Sequence, residues 1–192
     1  MRVIGGSLRG RKLTPMRGMA IRPTADRIRE AVFNILGAKP IDAVVLDLFA
    51  GSGALGIEAL SRGASQAVFV DQAVTALNIV RKNLQLCRLE NRTRVIQWDI
   101  AKNLNCLQSY RHTIDLIFID PPYQRQLIAP ALTHLAALQL ATEDAIAVVE
   151  HDPEETFDPL PSPWALTDQR RYGRTLISFL RRQSTDGSNN PA

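Results

Sequence analysis

The sequence predicts a doubly wound α/β fold, because short apolar runs alternate with longer amphipathic segments through the middle of the chain. Runs that are apolar throughout are typical of strands buried on both faces of a parallel sheet, and the segments between them have helical periodicity. The predicted strands are Ala43–Leu48, Gln66–Val70, Thr93–Trp98, Ile114–Ile119 and Ala145–Glu150. The predicted helices are Ala54–Arg62, Ala73–Cys87, Ala101–Leu107 and Gln126–Leu138.

Further elements are predicted on both sides of this core. Before it, Val3–Gly6 and Arg11–Leu13 are expected to pair as a small hairpin, and Thr24 is expected to cap a helix that ends at Leu36, with Gly37 as its stop. After it, two strands are expected to form an antiparallel hairpin on the sheet edge, Ala165–Arg171 and Thr175–Leu180, turning at Tyr172-Gly173. We expect one domain over residues 1–182, consisting of a basic extension (1–37) and the α/β core (43–182). The polar residues 183–192 are predicted to be a disordered tail.

The composition is that of an ordinary globular protein. The 192 residues are 45% hydrophobic and 22% charged, which suits a single domain. The sequence has no apolar run of membrane-spanning length, and its basic N-terminus lacks the apolar stretch of a secretion signal, so we expect a cytoplasmic protein without a membrane partner. Cys87 and Cys106 have no metal-ligand spacing, so we expect free thiols and no metal. His151 is expected to be a surface loop residue.

Positive charge is concentrated near the two ends of the sequence. Residues 1–30 hold eight basic and two acidic side chains, a local charge of +6 within a net charge of +4. A second cluster near the C-terminus consists of Arg170, Arg171, Arg174, Arg181 and Arg182. Segregated arginines are typical of surfaces that bind phosphate backbones, although a solvated basic surface without a partner has the same composition.

A glycine-rich loop follows the first predicted strand. Gly51, Gly53 and Gly56 match the spacing G-x-G-x-x-G, which allows the backbone to turn tightly and to approach a ligand closely. Asp71, at the end of the second strand, is placed to accept hydrogen bonds from ribose hydroxyls. Both features suit either a nicotinamide dinucleotide or S-adenosylmethionine.

Asp47 distinguishes these two ligands. A carboxylate four residues before the first glycine would repel a pyrophosphate, whereas S-adenosylmethionine carries a sulfonium and an ammonium and has no phosphate. Alternatively, Asp47 ties down loop amides. After the third strand, Asp99 is placed to accept from an adenine amino group with Ile100 against the ring, although Asp99 can also cap the next helix and Trp98 and Ile100 can be core residues.

The most specific motif is Asp120-Pro121-Pro122-Tyr123, at the end of the fourth strand. The two prolines stiffen the turn and remove two N–H donors, so acceptors remain toward the cleft. The Asp120 carboxylate and the Pro121 carbonyl can accept both hydrogens of an exocyclic amine and aim its nitrogen at a methyl donor. Tyr123 supplies a flat face for a flipped or unpaired base. The alternative is a rigid turn that begins with Asp.

Together these motifs resemble the Rossmann-like class I methyltransferases, whose amino-methylating members carry [D/N/S]-P-P-[Y/F/W]. Two further segments, Arg2–Leu13 and Arg22–Asn34, resemble the RsmD family of small-subunit ribosomal RNA guanine-N2 methyltransferases, and the resemblance covers about residues 1 to 182. It implies a seven-stranded sheet, S-adenosylmethionine as cofactor, and methylation of one guanine on an assembled or assembling small ribosomal subunit. We expect a monomer.

The resemblance also implies roles for individual residues. The cofactor's amino-acid end would lie against Asp47, Gly51 and Gly53, its ribose against Asp71, and its adenine against Asp99 and Ile100, while the residues from Asp120 to Tyr123 would bind the target base. Arg22, Thr24 and Arg27 would grip RNA phosphate or close over the cofactor, unless they serve only as helix cap and surface charge. With these, the residues expected to contact nucleic acid are Arg9, Arg11, Lys12, Arg22 and Arg27.

Three other functions are compatible with parts of the sequence. An adenine-N6 or other amino-methyltransferase acting on DNA or RNA would share the tetrapeptide. A nicotinamide oxidoreductase would share the glycine loop but would leave Asp47 and residues 120–123 unexplained. A non-catalytic RNA-binding assembly factor would retain only a vestigial cofactor pocket.

Overall fold

The computed structural model describes residues 1–16, 23–123, 125–157 and 159–183, without the side chains of residues 23–25. Its centre is a seven-stranded sheet with the strand order β3-β2-β1-β4-β5-β7-β6. Each pair from β3 to β5 is parallel, whereas β7 is antiparallel to both of its neighbours. The strands are β1 (Val44–Leu48), β2 (Gln66–Asp71), β3 (Thr93–Gln97), β4 (Ile114–Ile119), β5 (Ala141–His151), β6 (Trp164–Tyr172) and β7 (Thr175–Arg182).

The predicted fold class and the seven-stranded sheet are therefore confirmed. The largest difference in a strand boundary is at β5, which begins at Ala141 instead of Ala145. The register between β4 and β5 shifts in this region, with Ile114 opposite Ala141 and Leu116 opposite Ile146. A bulge lets polar residues lie within a strand without facing the core, so the apolar pattern alone marks only the later part of β5.

Within the described residues, four α-helices pack against the sheet: α1 (Pro23–Leu36), α2 (Ala54–Ser61), α3 (Val74–Cys87) and α4 (Ile128–Ala137). The predicted helix Ala101–Leu107 is wrong, since the structure has a 3-10 helix at Asn105–Tyr110 instead. Before that 3-10 helix, Asp99 Oδ1 accepts from the Ala101 amide at 3.2 Å and Asn103 Oδ1 accepts from the Asn105 amide at 3.0 Å. Such local side-chain bonds give the backbone an alternative to an α-helix.

Helix α1 begins two residues earlier than a helix capped by Thr24 would. Its first residue is Pro23, so Thr24 lies inside the helix and the prediction that Thr24 is the N-cap is wrong. Proline suits the first helical position because it has no N–H that needs a partner there. The helix ends at Leu36 and Gly37 has a φ of 56°, which confirms the predicted stop. The Phe33 ring packs against Phe118 of β4, with the ring centroids 5.6 Å apart.

The N-terminal segment forms the predicted antiparallel pairing and is docked on α2. An isolated bridge joins Arg2 to Lys12. Glu58 of α2 is completely buried, and its two carboxylate oxygens accept from the amides of Ile4 and Gly5, each at 2.7 Å. Arg62 Nε donates to the same carboxylate at 2.9 Å. The segment is therefore part of the same core as the sheet and is held by a buried, fully bonded charge.

Candidate active site

The glycine loop connects β1 to α2 and has left-handed backbone at two of its glycines. Gly51 and Gly53 have φ values of 55° and 75°, a region that residues with a Cβ rarely adopt. The third glycine of the motif, Gly56, lies inside α2, where an added Cβ would lie 2.4 Å from Cε1 of Phe69 and 3.1 Å from Oδ2 of Asp47. The first two glycines thus shape the loop, and the third lets α2 approach the sheet closely.

Asp47 lies beneath this loop in the middle of the sheet and is only 2% exposed. Its Oδ2 accepts from the Gly56 amide at 2.9 Å, so it does tie down a loop amide. Burial raises the pKa of Asp47 to about 7, opposed by the Gly56 hydrogen bond and assisted by the negative charge of Asp71. Its other oxygen has no hydrogen-bond partner among the described residues. That oxygen is available to a donor or cation above the loop.

Asp71 shapes the same loop from the neighbouring strand. Its Oδ2 accepts from the Gly51 amide at 3.0 Å and its Oδ1 accepts from the Ala73 amide at 2.8 Å. Each carboxylate oxygen keeps a second lone pair, so the predicted role toward ribose hydroxyls is compatible with these bonds. The carboxylate lies at the carboxyl end of β2, where ligands of open α/β sheets bind.

Asp99 and Ile100 follow β3, as expected for residues near an adenine. Asp99 accepts from the Ala101 amide and forms an ion pair with Lys102 at 3.3 Å, so it organises a turn and does not cap a helix. Ile100 is 3% exposed and belongs to the core. The Trp98 indole donates to the Asn103 carbonyl at 3.1 Å. The adenine roles of Asp99 and Ile100 stay predictions.

The tetrapeptide comes directly after β4, at the same edge of the sheet. Pro121 is buried, whereas Pro122 and Tyr123 are exposed. The Asp120 side chain forms no hydrogen bond or ion pair with any residue the structure describes. Burial raises the pKa of Asp120 well above its ordinary range, and the nearby charges of Glu150 and Asp47 raise it further.

The Tyr123 hydroxyl is held at two points. It donates to Glu150 Oε1 at 3.2 Å, and it lies 3.2 Å from Thr175 Oγ1. These bonds fix the position of a ring that is 48% exposed. An exposed, immobilised aromatic face is suited to stacking, because the entropy of ordering the side chain is lost on folding and not on binding.

Three carboxylates of this edge lie on one face of the sheet. In β1, Leu46 and Leu48 pack into one core cluster, so the intervening Asp47 points to the opposite face. Ile119 and Val149 are opposite each other in β4 and β5 and share that first cluster, so the next residues, Asp120 and Glu150, also point to the Asp47 face. None of these three carboxylates forms an ion pair within the described ranges. The site is therefore built for a cation or for N–H donors.

Sequence reasoning missed Glu150, Thr175 and Asn83. Glu150 has the same signal as Asp47, a carboxylate at the end of an apolar strand, and could have been recognised from it. Asn83 of α3 is completely buried, accepts from the Thr14 amide at 2.7 Å, and donates to the carbonyl oxygens of Thr14 and Ser52 at 3.0 and 2.9 Å. It joins the N-terminal segment to the glycine loop, but its partners lie too far away in sequence to be predicted.

The prediction for His151 is wrong. It is the last residue of β5, is 3% exposed, and its Nε2 lies 2.9 Å from Ser178 Oγ. Burial lowers the pKa of His151. Its ring also packs edge-on against Phe157, so it is a core histidine with satisfied nitrogens.

The predicted nucleic-acid contacts fall in different settings. Four are exposed: Arg9, Arg11 and Lys12 on the N-terminal hairpin, and Arg27 on α1. Arg22 lies outside the described residues, as does the side chain of Thr24. Residues 7–12 line an open depression together with the exposed Leu86 of α3.

The C-terminal basic cluster is less available. Arg170 pairs with Asp168 at 3.1 Å, and Arg181 pairs with Asp144. Arg171 donates to the Gly173 carbonyl at 3.1 Å in the turn between β6 and β7, as expected of a hairpin. Two of the five arginines of this cluster are thus paired with carboxylates, whereas Arg9, Arg11 and Lys12 form no ion pair with the described residues.

Other predicted features concern thiols, metals and membranes. Cys87 and Cys106 are free. Within the described ranges, no three His, Cys, Asp or Glu side chains are grouped as metal ligands. None of the helices in those ranges is long and apolar enough to cross a membrane.

Comparison with known proteins places the chain in a family. Residues 1–181 match the profile of the family described as "Conserved hypothetical protein 95". The chain is 33% identical over 184 residues to the Escherichia coli protein named "Ribosomal RNA small subunit methyltransferase D", covering 96% of this chain and 91% of that protein. The chain belongs to the RsmD family. The Haemophilus influenzae protein of the same name is 35% identical over 182 residues, with coverage of 93% and 91%.

Solved structures of similar chains have the same fold. The yhhF protein from Escherichia coli has a TM-score of 0.83 at 33% identity, covering 95% of this chain and 98% of that chain. A hypothetical protein from Thermus thermophilus has a TM-score of 0.74 at 28% identity, covering 93% and 98%. The match extends over the N-terminal hairpin and the sheet together, as expected for a family member.

Proposed function

We propose that this RsmD-family chain transfers the methyl group of S-adenosylmethionine to the N2 amino group of a guanine in small-subunit ribosomal RNA. The observation that carries the proposal is the set of three carboxylates, Asp47, Asp120 and Glu150, which lie on one face beside the glycine loop without a described cationic partner. The names of the Escherichia coli and Haemophilus influenzae relatives support ribosomal RNA of the small subunit as the substrate.

The residues around the glycine loop fit this cofactor. Asp47 keeps one oxygen without a described partner, which suits the positive charge of S-adenosylmethionine and would repel the pyrophosphate of a nicotinamide dinucleotide. The left-handed backbone at Gly51 and Gly53 allows close approach, and Asp71 can accept from ribose hydroxyls. The cofactor supplies an electrophilic methyl group on a positively charged sulfur.

Asp120 and Pro121 would orient the amino group. The lone pair of an exocyclic nitrogen is delocalised into the base, so the nitrogen is a weak nucleophile. The Asp120 carboxylate and the Pro121 carbonyl would accept its two hydrogens, aim the nitrogen at the methyl carbon and stabilise the positive charge that develops on it. Tyr123 would stack on the base, held in place by Glu150 and Thr175.

The proton balance requires no strong base. The new nitrogen–carbon bond forms as the sulfur–carbon bond breaks, and the nitrogen becomes acidic only as it is alkylated. Asp120 would then take the proton and release it to water. The raised pKa of Asp120 favours this step, because a carboxylate with a raised pKa is a better proton acceptor.

The substrate is proposed to be ribosomal RNA held in the assembled or assembling subunit in the cytoplasm. The exposed basic side chains are grouped on the N-terminal hairpin and α1. This surface is small, so by itself it offers few contacts for selecting one nucleotide in a large RNA. Ribosomal proteins would supply further contacts to a monomeric enzyme. Equal turnover on protein-free RNA and on subunits would contradict this part of the proposal.

The proposed chemistry is tested with Asp120→Asn. We expect turnover on subunits from cells lacking the gene to fall by about 10² or more, because an important hydrogen bond to the developing charge is weakened. Affinity for S-adenosylmethionine, measured by calorimetry, should change by less than about fivefold. Full turnover in the variant would contradict the assignment of Asp120, and an unchanged biological effect without turnover would favour a non-catalytic assembly factor.

A further inference from the structure

Glu150 lies beside Asp120 at the carboxyl edge of the sheet. Ile119 of β4 is opposite Val149 of β5, so the residues that follow them are neighbours. On the other side of β5, Glu150 is opposite Ile177 of β7, which packs into the cluster on the Asp47 face. The Glu150 side chain thus lies next to the tetrapeptide, on the face where the target base would bind.

The hydrogen bonds of Glu150 leave acceptor capacity toward that base. Its Oε1 accepts from the Tyr123 hydroxyl, while its Oε2 has no partner in the part of the chain that the structure describes. The Tyr123 hydroxyl is itself held by Thr175, so the carboxylate and the ring are fixed relative to each other. Burial raises the pKa of Glu150, and the Tyr123 bond lowers it.

A guanine presents one more donor than the proposed reaction uses. Its Watson–Crick edge carries two hydrogens on N2 and a third on the adjacent N1, and Asp120 with Pro121 accounts for the first two. The N1–H still needs an acceptor, because a donor that is buried without one loses its hydrogen bond to water and gains nothing in return. Adenine and 2,6-diaminopurine instead carry a lone pair at N1, which a carboxylate repels.

We propose that Glu150 accepts the N1–H of guanine and is the residue by which the site distinguishes guanine from bases with a lone pair at N1. This inference rests on the proposed function. A fixed carboxylate attracts a base with a hydrogen on N1 and repels a base with a lone pair there. Selection therefore uses both an attractive and a repulsive contact. The Tyr123 hydroxyl occupies Oε1 of Glu150 and leaves Oε2 for the base.

The test compares guanine with 2,6-diaminopurine, which keeps the 2-amino group but lacks the hydrogen on N1. Once the accepting nucleotide is mapped, subunits are reconstituted with either base at that position, and kcat/KM for methyl transfer is measured. We expect the wild-type enzyme to prefer guanine by about 100-fold or more, since sites built around one hydrogen bond reject analogues that lack it by large factors. Equal rates on the two bases would overturn the inference without any variant.

Two matched variants separate recognition from positioning. Glu150→Gln keeps an oxygen for the Tyr123 hydroxyl but presents N–H groups toward the base, so the guanine preference should fall at least tenfold. Tyr123→Phe removes the hydroxyl and keeps the carboxylate, so both bases should lose rate by a similar factor. Cofactor affinity within about threefold of wild type shows that each variant is folded.

The outcomes distinguish this inference from the proposed function. If Glu150→Gln keeps the wild-type preference for guanine over 2,6-diaminopurine, Glu150 only positions Tyr123. The same conclusion follows if Tyr123→Phe lowers that preference as much as Glu150→Gln does. Absence of methylation of guanine subunits by the wild-type enzyme would overturn the proposed function itself, and with it this assignment.

Discussion

Replacing Asp47 with Asn should stabilise the ligand-free protein while weakening cofactor binding. The carboxylate is 2% exposed and has a pKa of about 7, compared with 3.8 for an ordinary Asp. Between these two values the unfolded chain loses its proton before the folded protein does, so the buried group increasingly opposes folding as the pH rises. Well below pH 3.8 both states are protonated and the penalty is absent, whereas well above pH 7 it is fully present.

The size of the effect follows from the same two pKa values. From pH 5 the penalty grows for about two pH units and levels off near the folded-state pKa of about 7, so at about 1.4 kcal/mol per unit it grows by at most about 3 kcal/mol. Asn can still accept from the Gly56 amide, so the substitution removes the charge and keeps the bond that organises the loop. The advantage of the variant over wild type should therefore increase by roughly 2–3 kcal/mol from pH 5 to pH 8.

Urea unfolding of both proteins at pH 5 and pH 8 measures this change, and taking the difference cancels the titrating groups that do not interact with Asp47. Asp42→Asn is the control, because it removes the same charge from an exposed residue whose φ of 59° Asn also tolerates. Calorimetry should show cofactor affinity about 10- to 100-fold weaker in Asp47→Asn, because a charge-assisted contact is lost. An advantage that is equal at the two pH values would refute the assignment of a buried, ionising carboxylate.

Three further variants test the fold and the RNA-binding surface. Gly56→Ala would place a Cβ 2.4 Å from the Phe69 ring, and urea unfolding should show a loss of roughly 1–3 kcal/mol; a neutral effect would contradict the close packing. Asn83→Ala leaves buried backbone groups unpaired, so the free energy of unfolding should fall by about 2–3 kcal/mol and cofactor binding should weaken. Unchanged cofactor binding would mean that the N-terminal segment does not hold the glycine loop in place. The double change Arg11→Ala and Lys12→Ala should weaken binding to subunits and reduce its salt dependence by about two counterions, with cofactor affinity unchanged; an unaltered salt slope would exclude phosphate contacts there.

The parts of the fold that the sequence predicts well are those determined by local pattern. The buried strand β4 is predicted with its observed bounds, because polar residues mark both ends of its apolar run in the sequence. The helix predicted after β3 fails because Asp99 and Asn103 bond to nearby amides, a competition that periodicity does not register. The start of β5 fails because its first residues lie at a bulge.

In the candidate active site, too, individual residues are predicted from local pattern, whereas their contacts are not. Asp47 and Asp120 are recognisable because a carboxylate that ends or interrupts an apolar strand is unusual. The contact between Tyr123 and Thr175 joins residues 52 positions apart, and it depends on β7 lying next to β5. Strand order is a tertiary property, so the sequence predicts which chemical groups are present at the sheet edge better than which of them touch.

The identity of the methylated nucleoside tests the central claim most directly. Small subunits, protein-free ribosomal RNA and DNA from cells lacking the gene are incubated with labelled S-adenosylmethionine, and the digested products are identified by mass spectrometry. We expect N2-methylguanosine from subunits and little label in DNA. N6-methyladenine would contradict the choice of base and the role of Glu150. If the protein binds the cofactor but labels none of the substrates, the proposed activity is contradicted.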